Sequence, residues 1–262
     1  MIKKAEIDNG RGFDWGRTSQ DYAKYRDIYP HKFYQKILDM GACVKGQRVL
    51  DMGTGTGVLP RNLYQYGADF TGIDLSENQI KQAAALAREQ NMKIEFLCAP
   101  AENMNFPDQS FDVVTACQCF TYFDHETLAP QLHKILRPDG RLIVLYMAWL
   151  PFEDPIAGQS EALILKYNPE WTGCKEERHP IAVPEAYSPY FTLESQEVFD
   201  LRVPFSRESW NGRMKACRGV EASLSEKEIM DFDAEHRKRL DEIAPLAFEV
   251  LHYAAITVLR VK

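Results

Sequence analysis

The chain has 262 residues, 45% of them hydrophobic, and a net charge of −7. Such a length suits one α/β domain with an inserted or appended cap, and the apolar fraction suffices for a full core. The acidic balance argues against a broad basic surface for nucleic acid, and no apolar run approaches the roughly 18 residues of a membrane span. The opening stretch, Met1-Ile2-Lys3-Lys4-Ala5-Glu6, lacks the apolar core of a signal peptide, so a cytoplasmic location is expected. Cys43, Cys98, Cys117, Cys119, Cys174 and Cys217 form no Cys-x-x-Cys and no paired Cys/His spacing. They read as small buried side chains in a reducing compartment, with Cys117 and Cys119 on one face of a strand. The alternative is a thiol site for a soft metalloid, reached only if Cys174 and Cys217 converge from distant loops. No metal site is expected.

In chain order, residues 1–30 are rich in aromatics: Phe13, Trp15, Tyr22, Tyr25 and Tyr29. The spacing of Phe33, Ile37 and Leu38 predicts a helix over 31–40, ended by Gly41. An apolar strand over 48–52 runs into Gly53-Thr54-Gly55-Thr56-Gly57, and a helix follows through residue 64. A buried strand feeding a glycine-punctuated turn is a cofactor cradle, because the backbone can take positive φ and a ligand meets no Cβ. A second strand over 69–73 ends at Asp74, and Ser76 caps a helix through residue 90. An acid at the end of that strand is placed to accept both hydroxyls of a ribose.

A third strand over 93–98, a turn over 99–107 and a fourth strand over 111–117 come next. Ligands of open α/β sheets sit at the carboxyl ends of the strands, so residues 118–124 are expected to line the reaction site. A helix over 126–136 leads to Arg137-Pro138-Asp139-Gly140-Arg141, where Pro138 fixes φ and Gly140 is expected to supply a positive one. The fifth strand covers 142–147. Residues 150–190 hold Pro151, Pro155, Pro169, Pro180, Pro184 and Pro189 with Trp171, and no long regular element is expected there; they read as a substrate cap. A sixth strand over 192–205 precedes a helix capped by Ser206. That helix and its C-terminal end carry Arg213, Lys215 and Arg218, which with Arg207 form a cationic cluster: an anion receiver, or the solvated face of one helix. Ser225 with Glu228 is a capping box for a charged helix to about residue 243, and a seventh strand over 248–261 closes the sheet.

The turn after Asp51 reads Gly-x-Gly-x-Gly, unlike the Gly-x-Gly-x-x-Gly of nicotinamide dinucleotide sites. With Asp74 it resembles motif I and the acidic loop of the class I S-adenosylmethionine (SAM) methyltransferases. Three further segments are similar to members of that superfamily. Tyr22-Ala23-Lys24-Tyr25-Arg26-Asp27-Ile28-Tyr29-Pro30 resembles the Tyr-x-x-x-Arg-x-x-Tyr-Pro lid of small-molecule methyltransferases, although an amphipathic helix packed on the sheet edge reads equally well. Ala99-Pro100-Ala101-Glu102 through Phe106-Pro107 resembles the Gly-Asp-Ala-Glu-x-x-x-Phe-Pro segment of the ubiquinone/menaquinone type, with Pro100 where that family has an aspartate. Gln118 to Asp124 resembles the Gln-x-x-His-Trp-Phe-Asp segment of the trans-aconitate-methyltransferase-like group, with Thr121 and Tyr122 for the histidine and tryptophan.

The resemblance implies a Rossmann-like α/β fold: a seven-stranded, mostly parallel sheet with an antiparallel last strand, helices on both faces and a cap after strand five. It divides the chain into a lid and first helix (1–45), a SAM-binding core (46–148), a cap (149–191) and a C-terminal completion of the sheet with two helices (192–262). The cofactor is expected to be S-adenosyl-L-methionine, leaving as S-adenosyl-L-homocysteine. Its expected contacts are Tyr22, Arg26, Asp51, Gly53, Thr54, Gly55, Gly57, Asp74, Leu75, Ala101, Glu102 and Gln118. Acceptor contacts are expected from Tyr25, Phe120, Tyr122, Trp149 and Arg213, with plain core packing the alternative for Phe120. The implied activity is methyl transfer to a small carboxylate, thiol or phenol, in a monomer or homodimer with no nucleic-acid or membrane partner. No proton-transfer residue is assigned, since none of the six histidines holds a defensible position. The rivals are an RNA or protein methyltransferase and a SAM-binding protein without catalysis.

Overall fold

Seven strands form one sheet in the order β3-β2-β1-β4-β5-β7-β6 in the computed structural model of the chain, which describes residues 3–262 apart from the side chains of residues 18, 19, 20 and 22. The strands are β1 (Arg48–Met52), β2 (Asp69–Asp74), β3 (Glu95–Cys98), β4 (Phe111–Cys117), β5 (Leu136–Trp149), β6 (Phe191–Ser206) and β7 (Ala247–Val261). The helices are α1 (Ser19–Tyr25), α2 (His31–Asp39), α3 (Val58–Leu63), α4 (Glu77–Glu89), α5 (His125–Ile135), α6 (Pro155–Tyr167), α7 (Arg207–Lys215) and α8 (Glu226–Ile243). β1 pairs in parallel with β2 and β4, so Leu50 lies opposite both Thr71 and Val114. Strands at the centre of a parallel sheet are covered on both faces and read as continuous apolar runs; Val49, Leu50 and Met52 are fully buried.

β7 runs the other way. Thr192 bonds to Arg260 and Gln196 to Thr257, so β6 and β7 are antiparallel. The Leu150 N–H donates to Leu251 O while Arg260 reaches Asp139, which sets β7 against β5 in the same sense. The expected mostly parallel sheet with one reversed closing strand is therefore present.

The chain divides into two compact units. The sheet unit comprises His31–Met147, His179–Phe199 and Ala254–Lys262; the helical unit comprises the described residues through Pro30 with Ala148–Arg178 and Asp200–Tyr253. Residues 149–191 are thus shared, with 149–178 in the helical unit and 179–191 in the sheet unit. There Ile181, Val183, Tyr187 and Tyr190 pack with Leu128, Leu132 and Phe191 in an apolar cluster.

Two expectations are corrected. The proline-rich stretch does hold a long element: α6 spans 13 residues, because Asp154 accepts from the N–H groups of Ile156 and Ala157 and Pro155 occupies the first turn. Proline there is favoured, since its missing N–H has no helical partner to lose. At the start of β5 the positive φ falls on Asp139 (62°) rather than Gly140. Gly140 is small for another reason: a Cβ would meet Arg137 O at 2.8 Å.

Candidate functional site

β1 delivers Asp51, fully buried at the mouth of the glycine turn. The sheet register sets Thr115 of β4 beside it, and the Thr115 hydroxyl donates to Asp51 Oδ1 at 2.6 Å. Burial pushes the Asp51 carboxyl up to about 6 despite that hydrogen bond, and the nearby Asp74 charge adds to the effect. A buried acid in this condition favours a cationic neighbour.

The turn itself is built for close approach. Gly53 has φ 59°, and a Cβ there would lie 2.8 Å from both Cβ and Sγ of Cys119. Gly57 has φ 72°, and a Cβ would lie 2.8 Å from the Phe96 ring. Side chains are thus excluded by conformation and by space at both ends of the turn. Thr54 anchors it from within, its N–H donating to Ile73 O at 2.9 Å. The Thr54 hydroxyl acts on the Asp51 carboxyl, while the buried Thr56 hydroxyl has no hydrogen-bond partner among the described residues.

β2 ends in Asp74, whose Oδ2 accepts the Gly55 N–H at 2.9 Å and whose Oδ1 accepts the Ser76 N–H at 2.8 Å. Each oxygen keeps a second lone pair, so the carboxylate still has two acceptor sites. Leu75 follows, 55% exposed. The turn after β3 holds Ala101, buried, and Glu102, whose Oε1 accepts the Asp124 N–H at 2.9 Å at the start of α5. A cradle without Cβ atoms, a buried carboxylate near 6, an orphaned hydroxyl and a two-acceptor carboxylate together fit a cationic amino acid joined to a ribose. The residues present fit S-adenosylmethionine.

After β4, Gln118 takes φ 64°. Its side-chain amide donates to Met147 O at 2.5 Å, and its backbone N–H to Leu145 O, tying this loop to β5. Phe120 is 6% exposed and packs its ring 4.6 Å from His125 and 5.5 Å from Tyr187. Its packing is that of a core residue. Tyr122 is half-buried beside it. Cys119 lies beyond the end of β4, its thiol donating to Met52 O at 3.1 Å, so it supports the glycine turn and does not share a strand face with Cys117. Among the described residues no group of three or more His, Cys, Asp or Glu is placed to hold a metal ion, and no helix is long and apolar enough to cross a membrane.

The remaining expected residues fall in the helical unit. The Tyr22 side chain lies outside the described residues. Arg26 sits 5.9 Å above the Trp15 ring. Tyr25 packs against Gly212, where a Cβ would fall inside its ring, and its hydroxyl bonds to Glu208 at 3.2 Å. Arg213, 5% exposed, lies 5.0 Å over the ring of Trp149, and the Trp149 N–H donates to the buried Glu161 at 2.8 Å. The cationic cluster is therefore not the solvated face of one helix. Arg207 pairs with Asp241, Lys215 with Asp21, and Arg218 with the buried Asp8, so three of the four cations bind separate acids and Arg213 is buried against an indole.

Several residues escaped the sequence reading. Thr115 carried a signal, one hydroxyl in the apolar strand Phe111–Cys117, but its partner emerges only from sheet register. The buried Ser160, Asn211 and His236 form a network in which His236 lies 2.9 Å from Ser160 Oγ and 2.7 Å from Asn211 Oδ1. Asn211 donates its amide to Asp233, so its oxygen faces a His236 Nδ1–H and the other ring nitrogen is left to accept. Burial lowers His236 to about 4 and His252 to about 3, which keeps both neutral. Both rings are buried and too weakly basic to hold a proton near neutral pH.

A methyltransferase-domain family matches residues 50–144. The ubiquinone biosynthesis O-methyltransferase of Coxiella burnetii is 31% identical over 130 residues, which is 49% of this chain and 55% of that protein. The demethylmenaquinone methyltransferase of Thermus thermophilus is 33% identical over 117 residues, 44% of this chain and 53% of that protein. The chain thus spans about half the length of the curated relatives it matches. Among solved structures, a putative type II methyltransferase from Anaeromyxobacter dehalogenans superimposes with a TM-score of 0.60 at 18% identity, covering 89% of this chain and 97% of that one. A putative methyltransferase from Bacillus halodurans gives 0.54 at 17% identity, covering 87% and 98%. These likenesses establish a shared fold.

Proposed function

We propose that this chain is a class I S-adenosylmethionine-dependent methyltransferase that transfers a methyl group to a small-molecule acceptor. The observation that carries the reading is the glycine turn closed against Cys119 and Phe96 with Asp74 at its flank. When bound, S-adenosylmethionine supplies a methyl group on a sulfonium that needs no further activation.

The chain's own residues bind and align. Asp51 faces the cationic amino-acid end and Asp74 takes the ribose diol. Gly53, Gly55 and Gly57 admit the ligand to the backbone. Alignment and exclusion of water are the main demands of such a displacement. On the cofactor side, Thr54, Leu75, Ala101, Glu102, Gln118, Tyr22 and Arg26 complete the proposed set; Tyr122, Tyr25, Trp149 and Arg213 are proposed for the acceptor, and Phe120, packed as core, is proposed in the role of support.

Phenols are the first acceptors to test, because the relatives named above act in ubiquinone and menaquinone formation. Carboxylates, ionised at neutral pH, and thiols, which ionise from about pH 8.5, follow. Titration calorimetry with S-adenosylmethionine and S-adenosylhomocysteine, followed by radiolabelled methyl transfer to those three classes, is the test. Micromolar binding of both and label on a small molecule support the proposal. Binding with no transfer to any class replaces it with a non-catalytic SAM-binding role.

A further inference from the structure

Asp51 is held by what the sheet places on either side of it. The register sets Gly72 of β2 opposite Asp51 on one side and Thr115 of β4 opposite it on the other. Residues in register across neighbouring strands project to the same face, so β2 brings no side chain to the carboxyl and β4 brings one. The glycine turn uses the space at Gly72: a Cβ there would lie 2.8 Å from Thr54 Oγ1, and the Thr54 hydroxyl acts on the Asp51 carboxyl. Two hydroxyls therefore flank the acid, one from β4 and one from the turn.

The Thr115 hydroxyl has one proton and two acceptors, Asp51 Oδ1 at 2.6 Å and Leu50 O at 3.5 Å. These distances choose between two arrangements. With Asp51 protonated, its O–H would donate to Thr115, whose own proton would be left to the Leu50 carbonyl at a length where a hydroxyl bond is weak. With Asp51 ionised, Thr115 donates to the carboxylate, and 2.6 Å is the length of a charge-assisted O–H···O⁻ bond. The hydroxyl is thus well bonded only to the charged form, and a donor that serves one protonation state shifts the equilibrium toward it.

Burial opposes that state most strongly, followed by the hydroxyls that favour it and then by the Asp74 charge from β2, which also opposes it. The other titratable groups that face Asp51 are thiols, Cys43 before β1 and Cys119 after β4. Burial and then the Asp51 charge push both up, so they stay neutral and bring no positive charge. Arg141, whose charge acts on Cys43, is bonded to the Met40 and Gly41 carbonyls.

We infer that Thr115 is a positioning residue of this site: its hydroxyl keeps Asp51 ionised and fixed through Oδ1 for the protonated amino group of the cofactor. The inference rests on the cofactor reading given above. Thr115 acts through Asp51 and is not itself assigned to the cofactor. It leaves a signature that packing alone does not produce. Removing the donor raises the proton affinity of Asp51, so binding weakens at and below the new midpoint and recovers above it. A distorted turn weakens binding by the same factor at every pH.

The test is calorimetric titration of S-adenosylhomocysteine from about pH 6 to about pH 8.5 into the parent chain, Thr115→Val and Thr115→Ser. Comparing the chains at each pH cancels titration of the ligand's own amino group. For Thr115→Val, affinity about fivefold or more below the parent at pH 6 and within about twofold of it at pH 8.5 is expected. Thr115→Ser keeps the hydroxyl and is expected to follow the parent. Thr115→Ala, which removes the hydroxyl without adding bulk, is expected to repeat the valine profile and serves if the valine variant does not fold. A deficit of constant size across the range, no deficit at any pH, or a serine variant that behaves like valine overturns the inference while leaving the cofactor reading in place. Absence of binding by the parent chain at every pH refutes the cofactor reading, and the inference with it.

Discussion

The polar groups around the glycine turn and those shared by α6, α7 and α8 are held in different ways. Around the glycine turn of the sheet unit, the buried Thr56 hydroxyl has no partner among the described residues and burial raises the Asp51 carboxyl to about 6. In the helical unit, Ser160, Trp210, Asn211, His236 and Asp233 bond to one another in sequence across α6, α7 and α8. A buried polar group without a partner is costly, and a fully bonded network fixes one arrangement of the core. The first arrangement leaves unused bonding capacity at the turn at the expense of stability; the second holds three helices in register.

This contrast is open to breakage, beginning with the largest effect. Gly53→Ala places a Cβ 2.8 Å from Cys119 on a backbone with positive φ. Left-handed strain of about 1–2 kcal/mol and overpacking of about 1–3 kcal/mol are expected. Calorimetry should show S-adenosylhomocysteine affinity falling by about 100-fold or more. Retained affinity rejects the cradle.

Ser160→Ala tests the other unit. It strips the Trp210 N–H and His236 of a shared partner, at about 1–3 kcal/mol for each buried group. A thermal melt should show a clear fall in Tm with cofactor affinity unchanged; a matching loss of affinity means that this network also supports cofactor binding.

Asp74→Ala removes the proposed ribose contact, worth about 1.5–3 kcal/mol for hydrogen bonds to a charged group, or roughly 10- to 100-fold in Kd. Some loss of turn stability accompanies it, because Asp74 also accepts from Gly55 and Ser76. An unchanged Kd sinks the ribose assignment.

The smallest effect is a pH dependence, and its sign differs between the units. Asp51 lies above its ordinary value, so the ligand-free sheet unit loses stability as pH rises from about 4 to about 6 and the buried carboxylate ionises. Cationic cofactor binds the ionised form, so affinity should rise up to about tenfold per pH unit below 6 and level above it. Asp51→Asn should flatten that profile. His236 lies below its ordinary value, so the helical unit loses stability as pH falls from about 6.5 toward 4 while the unfolded chain takes up the proton. His236→Gln should weaken this acid limb in pH-dependent melts; an unchanged limb places the acid sensitivity elsewhere.

Local chemistry determined much of this protein. Asp51 and the glycine turn, Asp74 ending β2, Ser76 capping α4, and the Ser206 and Ser225 caps of α7 and α8 are all legible in the sequence, because caps and turns depend on residues within a few positions of one another. The same locality explains the missed helix α6: its prolines were counted as breakers, although Pro155 after Asp154 is a starting signal. What needed the tertiary structure is what joins distant positions. Thr115 meets Asp51 through parallel register, 64 residues away. Glu102 meets the Asp124 N–H 22 residues further on, a partner that only the fold supplies. The four cations near α7 read as one patch, but burial and pairing with Asp241, Asp21 and Asp8 divide them. Side-chain partners depend on which elements the core brings together, and no spacing along the chain encodes that choice directly.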